Sequence, residues 1–169
     1  MKKLLIKNLQ KKYNTVILKN NLDISKGDIE DIPYLIPLLK ELFTIEKDFT
    51  FDKSKHEEGL KLLISNNNSR IVVARFENEV IAMVTIQTII STATGSKTGL
   101  IEDFIVKDDF RDLGVGTHLF NYLKEYAKKH HMKRLQLVCD EDNDVAKEFY
   151  TNKSFKKSNL AAWYNHLKE

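Results

Sequence analysis

The chain is poor in the residues that would mark it as secreted, metal-bound, membrane-spanning or loosely linked. It has one cysteine, Cys139, so no intramolecular disulfide can form. That usage fits a reducing compartment, and neither a Cys-x-x-Cys pair nor a Cys/His zinc spacing occurs. Two prolines and six glycines leave little room for linkers, and no internal repeat is present. No apolar run approaches the roughly 20 residues of a membrane span. The basic N-terminus is not followed by an apolar stretch and a small-residue cleavage site, so a cytoplasmic protein is expected. Lys and Arg number 27 against 24 Asp and Glu, an excess of three, and they are scattered. Such a distribution gives no footprint for nucleic acid. The histidines show no ligand spacing, so no metal is expected.

What is present is a regular alternation of elements in 169 residues, a length that suits one domain with its own core. Leu4–Leu9, Thr15–Leu18 and Leu22–Ser25 read as short strands. Asp28 or Asp31 can cap a helix running to about Phe43, with Pro33 tolerated in its first turn and Pro37 expected to bend it. A second helix spans about Lys53–Ser65. Strands follow at Arg70–Phe76, Val80–Ser91 and Gly99–Val106, with Glu77-Asn78-Glu79 as a tight hairpin. A helix over Gly116–His130, a strand Arg134–Cys139, a short helix Asp144–Thr151 and one or two strands over Phe155–Tyr164 complete the chain. The pattern predicts an α/β (α+β) fold with a single mixed, mostly antiparallel sheet and helices on both faces.

Arg111-Asp112-Leu113-Gly114-Val115-Gly116 lies between a strand and an amphipathic helix. Backbone N–H groups of Leu113, Gly114, Val115, Gly116 and Thr117 can converge on one point, and the helix N-terminus adds partial positive charge. Glycine lets the backbone approach an anion closely, and Arg111 can add a cationic contact. The loop therefore suits a pyrophosphate. Just upstream, Ile101-Glu102-Asp103-Phe104-Ile105-Val106 sets two adjacent carboxylates in an apolar strand. Alternation predicts Ile101, Asp103 and Ile105 on one face and Glu102, Phe104 and Val106 on the other.

The segment Val106-x-x-x-Phe110-Arg111-x-x-Gly114-x-Gly116 resembles the central motif of the GNAT superfamily of acyl-CoA-dependent N-acetyltransferases, Gln/Arg-x-x-Gly-x-Gly/Ala. Asp108 stands where the family usually has Pro, and Asp112 where Gly is common. Asn143-x-x-Ala146-x-x-Phe149-Tyr150-x-x-x-x-Phe155 resembles the family's second segment, with Ser154 in place of its usual Gly. The resemblance spans about Leu22 to Trp163, so residues 22–169 are read as the acetyltransferase domain and residues 1–21 as an accessory extension.

The resemblance implies transfer of an acetyl group from acetyl-CoA to a primary amine by direct attack in a ternary complex. The Glu-Asp-Phe-x-Val string is similar to that of the diamine acetyltransferases and puts the general base on Glu102. An alkylammonium of pKa near 10.4 is neutral to only about one part in a thousand at pH 7, so a carboxylate must take its proton. A bulge in this strand is expected, with backbone amides of Phe104, Ile105 and Val106 binding pantetheine and polarising the thioester carbonyl. Arg111 and Asp112 join the phosphate loop on the cofactor side, as do Asn143 and Ala146 from the second segment. Tyr150 is the expected general acid for the departing thiolate. Glu46, Phe49, Gln87 and Asp103 are the expected acceptor-side residues. A homodimer is common in the family.

One other reading is open, and a second is excluded. A chain with the same cofactor site could sense acyl-CoA without turnover. The N-terminal residues Leu5–Leu9 and Ser25–Asp28 resemble the opening of ABC-transporter ATPases, but the Gly-x-x-x-x-Gly-Lys-Ser/Thr loop such an enzyme needs is absent.

Overall fold

A computed structural model describes Leu18 and residues 21–46 and 48–167. The expectations for Leu4–Leu9 and most of Thr15–Leu18 lie outside these residues. Leu18 itself is helical and buried, not extended. The chain divides into two compact units, Met1–Gln136 and Leu137–Glu169.

The first unit is a five-stranded sheet in the order β1-β2-β3-β4-β5, formed by Leu22–Lys26, Ser69–Phe76, Glu79–Ser91, Ser96–Val106 and Met132–Gln136. Neighbouring strands run antiparallel except β4 and β5, which are parallel. Helices α1 (Ile32–Ile45) and α2 (Lys53–Ser65) connect β1 to β2, and α3 (Val115–Lys129) connects β4 to β5. The mixed, mostly antiparallel sheet with helices is therefore as the sequence predicts.

Local chemistry sets the element ends. Asp28 caps a 3-10 turn with a reciprocal capping box to Asp31, and the turn runs into α1 with proline in its first turn. Asp52 caps α2 by accepting from the amides of Ser54 and Lys55. Glu77 and Asn78 both adopt positive φ, 50° and 68°, which a two-residue hairpin matched to the sheet twist requires.

The central strands are buried on both faces, and packing partners assign the two faces. Ile71, Val73, Met83 and Ile105 join a core with the apolar stripe of α1 and with Leu60 of α2. The residues between them, Val72, Ala74, Ala82 and Val84, are fully buried as well. By the period of two they point to the other face, where α3 covers the sheet with Leu119, Phe120 and Leu123. At the β1 side, Arg75 grips the buried Asp31 with two bonds of 2.6 and 2.7 Å and donates to Ser25, which ties strand β2 to the start of α1.

Two strand expectations are corrected. The predicted strand Arg134–Cys139 is instead Met132–Gln136. Its pairing ends at Leu100↔Gln136, just before β4 enters an irregular stretch, so Leu137–Cys139 have no regular ladder to join. The predicted strands over Phe155–Tyr164 are absent, because residues 155–164 pair with no described strand. The second unit contains α4 (Asp144–Asn152), which matches the expected short helix. Among the described residues no helix is long and apolar enough to cross a membrane.

Candidate active site

The irregular stretch of β4 is where chemistry gathers. Met83 pairs with Ile105 and Thr85 with Glu102, so Val84 alone faces Asp103 and Phe104. This is a β-bulge, and Asp103 occupies its left-handed position at φ 49°. A non-glycine residue there stores of order 1–3 kcal/mol of strain, least for Asp and Asn. The bulge corrects the expected alternation. Thr85 and Gln87 share one face of β3; Thr85 Oγ1 donates to Asp103 Oδ2 at 3.1 Å and Gln87 Nε2 to Glu102 Oε2 at 2.8 Å. Both carboxylates thus stand on one face, the one that also carries Met83 and Ile105.

The two acids have different surroundings. Glu102 is exposed, and Asp103 is half-buried against the fully buried Thr85. Burial lifts the Asp103 carboxyl from 3.8 to about 6; the Thr85 hydrogen bond opposes the rise and the Glu102 charge adds to it. Beside this pair, α2 and β3 leave an open groove of about 310 Å³ lined by Gly59, Leu62, Leu63, Asn66 and Gln87. Gln87 therefore borders the groove with one side and holds Glu102 with its amide.

Following β4, the chain makes a 3-10 turn at Asp108–Phe110 and enters the glycine loop. Asp112 (φ 57°) and Gly114 (φ 87°) are both left-handed, an alternation that curls backbone N–H groups around a concave point. Gly114 caps the 15-residue α3 with no side-chain hydrogen bond, and a Cβ placed on it would meet nothing within 4 Å. An unshielded helix start beside open space fits a diphosphate, so the loop could hold that part of coenzyme A. Ile105 turns its side chain into the core, leaving only its backbone for a ligand. The Val106 carbonyl accepts from Arg111 Nε at 2.9 Å.

Arg111 is already engaged on the protein. Besides Val106 it forms ion pairs with Glu41 of α1 and, at 3.1 Å, with Asp108. Its guanidinium ties the loop to α1 through Glu41. Glu46 ends α1 and Phe49 is exposed beyond it, edge-on to Phe43 at 6.0 Å. Near them lies a residue the sequence reading passed over. His56 stacks on Phe43 at 4.5 Å and lies 5.0 Å from Phe51, with Nε2 buried and unpartnered. Burial lowers its pKa, against the pull of Asp52. Thr85 was also missed; only the bulge makes it relevant.

In the second unit, Asn143 caps α4 by accepting from the Ala146 amide at 3.0 Å. Tyr150 lies one turn on, its ring 5.4 Å from Phe149 and 5.6 Å from Phe155. The acidic loop there carries its own cations: Lys157 pairs with Glu141, and Lys147 with Asp144 at 2.6 Å. Among the described residues no group of His, Cys, Asp and Glu could hold a metal ion.

A strand with a bulge near its end, a left-handed glycine loop and a 15-residue helix form one continuous strand–loop–helix unit. Residues 36–155 match the model of the acetyltransferase (GNAT) family, and the chain belongs to that family. It is 25% identical over 158 residues to an uncharacterized N-acetyltransferase, MJ1207, of Methanocaldococcus jannaschii, covering 92% of this chain and 69% of that one. The fold is shared with an aminoglycoside acetyltransferase from an uncultured soil metagenomic sample, with a TM-score of 0.73, 23% identity, and 89% and 99% of the two chains covered. A predicted acetyltransferase of Clostridium acetobutylicum, solved with acetyl-CoA, aligns with a TM-score of 0.72 at 20% identity over 85% and 96% of the chains.

Proposed function

We propose that the protein transfers the acetyl group of acetyl-CoA to a primary amine by direct attack within a ternary complex. The observation that carries this reading is the placement, on one strand–loop–helix unit, of a carboxylate pair at a β-bulge and a left-handed glycine loop at a helix start. The loop residues Leu113 to Thr117 would bind the pyrophosphate, and the bulge amides near Phe104 the pantetheine arm. When bound, the thioester supplies an activated acyl carbon and a thiolate leaving group. The chain's own work is then to remove a proton from the ammonium, hold the amine and protect the thiolate. The Glu102–Asp103 pair takes the first task, and Tyr150 is the proton donor to sulfur.

A small acceptor suits the groove beside Gln87, whose walls are apolar and amide, with Gln87 hydrogen-bonded to the Glu102 carboxylate. A soil aminoglycoside acetyltransferase of the same fold was solved with sisomicin, which is an example of a small polyamine-like ligand on this scaffold. The test is release of free thiol from acetyl-CoA in the presence of a panel: spermidine, an aminoglycoside, single amino acids and a lysine peptide. Turnover with one or more of these is expected. Tight coenzyme A binding with no thiol release from any amine would favour a sensor and sink the enzymatic reading. Tyr150→Phe should slow turnover at least tenfold with coenzyme A affinity retained, and an unchanged kcat removes Tyr150 as the acid.

A further inference from the structure

The family resemblance places the base on Glu102, but the bulge holds a second carboxylate in a better position for that role. We propose that Asp103 is the group that takes the proton from the acceptor amine, and that Glu102, tethered by Gln87, is the group that receives the incoming ammonium. The proposal rests on the acetyltransferase reading and divides the labour within its carboxylate pair.

The geometry carries the assignment. Were β4 regular, adjacent residues 102 and 103 would face opposite sides of the sheet. A left-handed Asp103 at the bulge turns both acids to one face, and that backbone is strained for any L-residue. The strain is held in place by the hydrogen bond from the fully buried Thr85. Thr85 donates to the Asp103 carboxylate, while the exposed Glu102 accepts from the amide of Gln87, a residue that lines the groove. Glu102 is the more exposed of the two acids and Asp103 the more buried, so a cation reaching this face from solvent meets Glu102 first.

The acid strength agrees with this order. A base works best when its pKa lies near the operating pH, and Asp103 is raised to about 6, mainly by burial. The groups around it leave that value in place. Thr85 and Gln87 on β3 do not titrate. The faces that α1 and α3 turn to the sheet are apolar, Glu41 of α1 is paired with Arg111, and Arg134 of β5 bonds Ser91 and Gln136. Glu102 is the charged neighbour that acts on Asp103, and it pushes in the same direction as burial.

The step balances without a further reagent. An N–H proton of the ammonium passes to the Asp103 carboxylate. The freed lone pair forms the N–C bond to the thioester carbon, and the C–S bond breaks with its electron pair on sulfur. Tyr150 gives its proton to the thiolate and is restored by the second proton that nitrogen loses, and the proton on Asp103 leaves to solvent. The sum is ammonium plus thioester giving amide, thiol and one proton.

Two readouts test the assignment. The first needs no acceptor: carbon-13 NMR of the Asp103 carboxyl against pH, in the wild type and in Thr85→Val. The second is the pH profile of kcat/KM with spermidine, or with whichever panel amine turns over, in the wild type, Thr85→Val, Asp103→Asn and Glu102→Gln. Asparagine tolerates the left-handed backbone and still accepts from Thr85, so Asp103→Asn keeps the fold. The acidic limb of the wild type should coincide with the NMR titration, and Thr85→Val should move both upward together, since its hydrogen bond holds the value down. Asp103→Asn should lose the limb and about a hundredfold or more in kcat at neutral pH. Glu102→Gln should keep the limb, moved to lower pH by loss of the Glu102 charge, and raise KM for the amine about tenfold. If Glu102→Gln abolishes the limb while Asp103→Asn keeps it, the base is Glu102 and the proposal is overturned. A wild type inactive with every amine overturns the acetyltransferase reading itself, a result separable from failure of Asp103 alone.

Discussion

A carboxylate raised by burial should weaken the fold when it ionises, and at Asp103 that cost can be measured apart from activity. Its native carboxyl titrates at about 6 against 3.8 for the ordinary group. Between those two values the native chain holds a proton that the unfolded chain has released. Stability contributed by this group is therefore complete below about pH 3.8, falls as pH rises, and is fully lost above about pH 6. A displacement of about two units corresponds to about 3 kcal/mol at 1.36 kcal/mol per unit. Asp103→Asn removes the ionisation and keeps both the left-handed backbone and an acceptor for Thr85. At neutral pH the variant should be more stable by up to about 3 kcal/mol, and for a chain of this size that is about 6–12 °C in Tm. At pH 4 the two proteins should melt together. The assay is a series of thermal melts by circular dichroism from pH 4 to pH 8, read as the difference between variant and wild type so that all other titrations cancel. A difference that does not change with pH refutes the reasoning, because it would place the effect in packing or strain rather than in a buried charge.

Three further substitutions probe other parts of the molecule. Gly114→Ala forces a Cβ onto φ 87° and should cost about 1–2 kcal/mol in the loop, lowering coenzyme A affinity about tenfold by calorimetry; an unchanged Kd would remove the loop from the cofactor site. Asp31→Ala leaves Arg75 without its double-bonded partner and breaks the capping box, so urea unfolding should show a loss of about 3–5 kcal/mol; a loss under about 1 kcal/mol would mean that water replaces the pair freely. His56 has its pKa lowered by burial from 6.5, so the stability it supports is present above that value and drains away as pH falls through the native pKa. His56→Phe keeps the stacking on Phe43 and Phe51 and should flatten this acid-side loss; equal pH slopes in both proteins would show that the ring is solvated.

What the sequence could reveal followed from how local each feature is. The glycine loop was legible because Gly114, the strand before it and the apolar stripe of α3 are all close in the chain, and the left-handed φ of 87° is the conformation glycine serves. The boundaries of α2 were legible for the same reason, with Asp52 capping at one end and Asn66 closing at the other. The strand over Phe155–Tyr164 was not, since a strand exists only with a partner and propensity does not supply one. Arg111 shows the limit in a side chain: its ion-pair partner Glu41 lies 70 residues away in the chain, so only folding reveals that pairing. The carboxylate pair is the decisive case. Period-two alternation is a rule about regular strands, and it sends Glu102 and Asp103 apart. One extra residue in β4 against β3 reverses that result, and no local signal short of the Glu-Asp-Phe string marks where it falls. The bulge costs strain at Asp103 and burial raises the acid it carries, so the fold gives up stability at the point where two carboxylates meet on one face. A purely structural strand gains nothing from such an arrangement; a base that must be poised near neutral pH does.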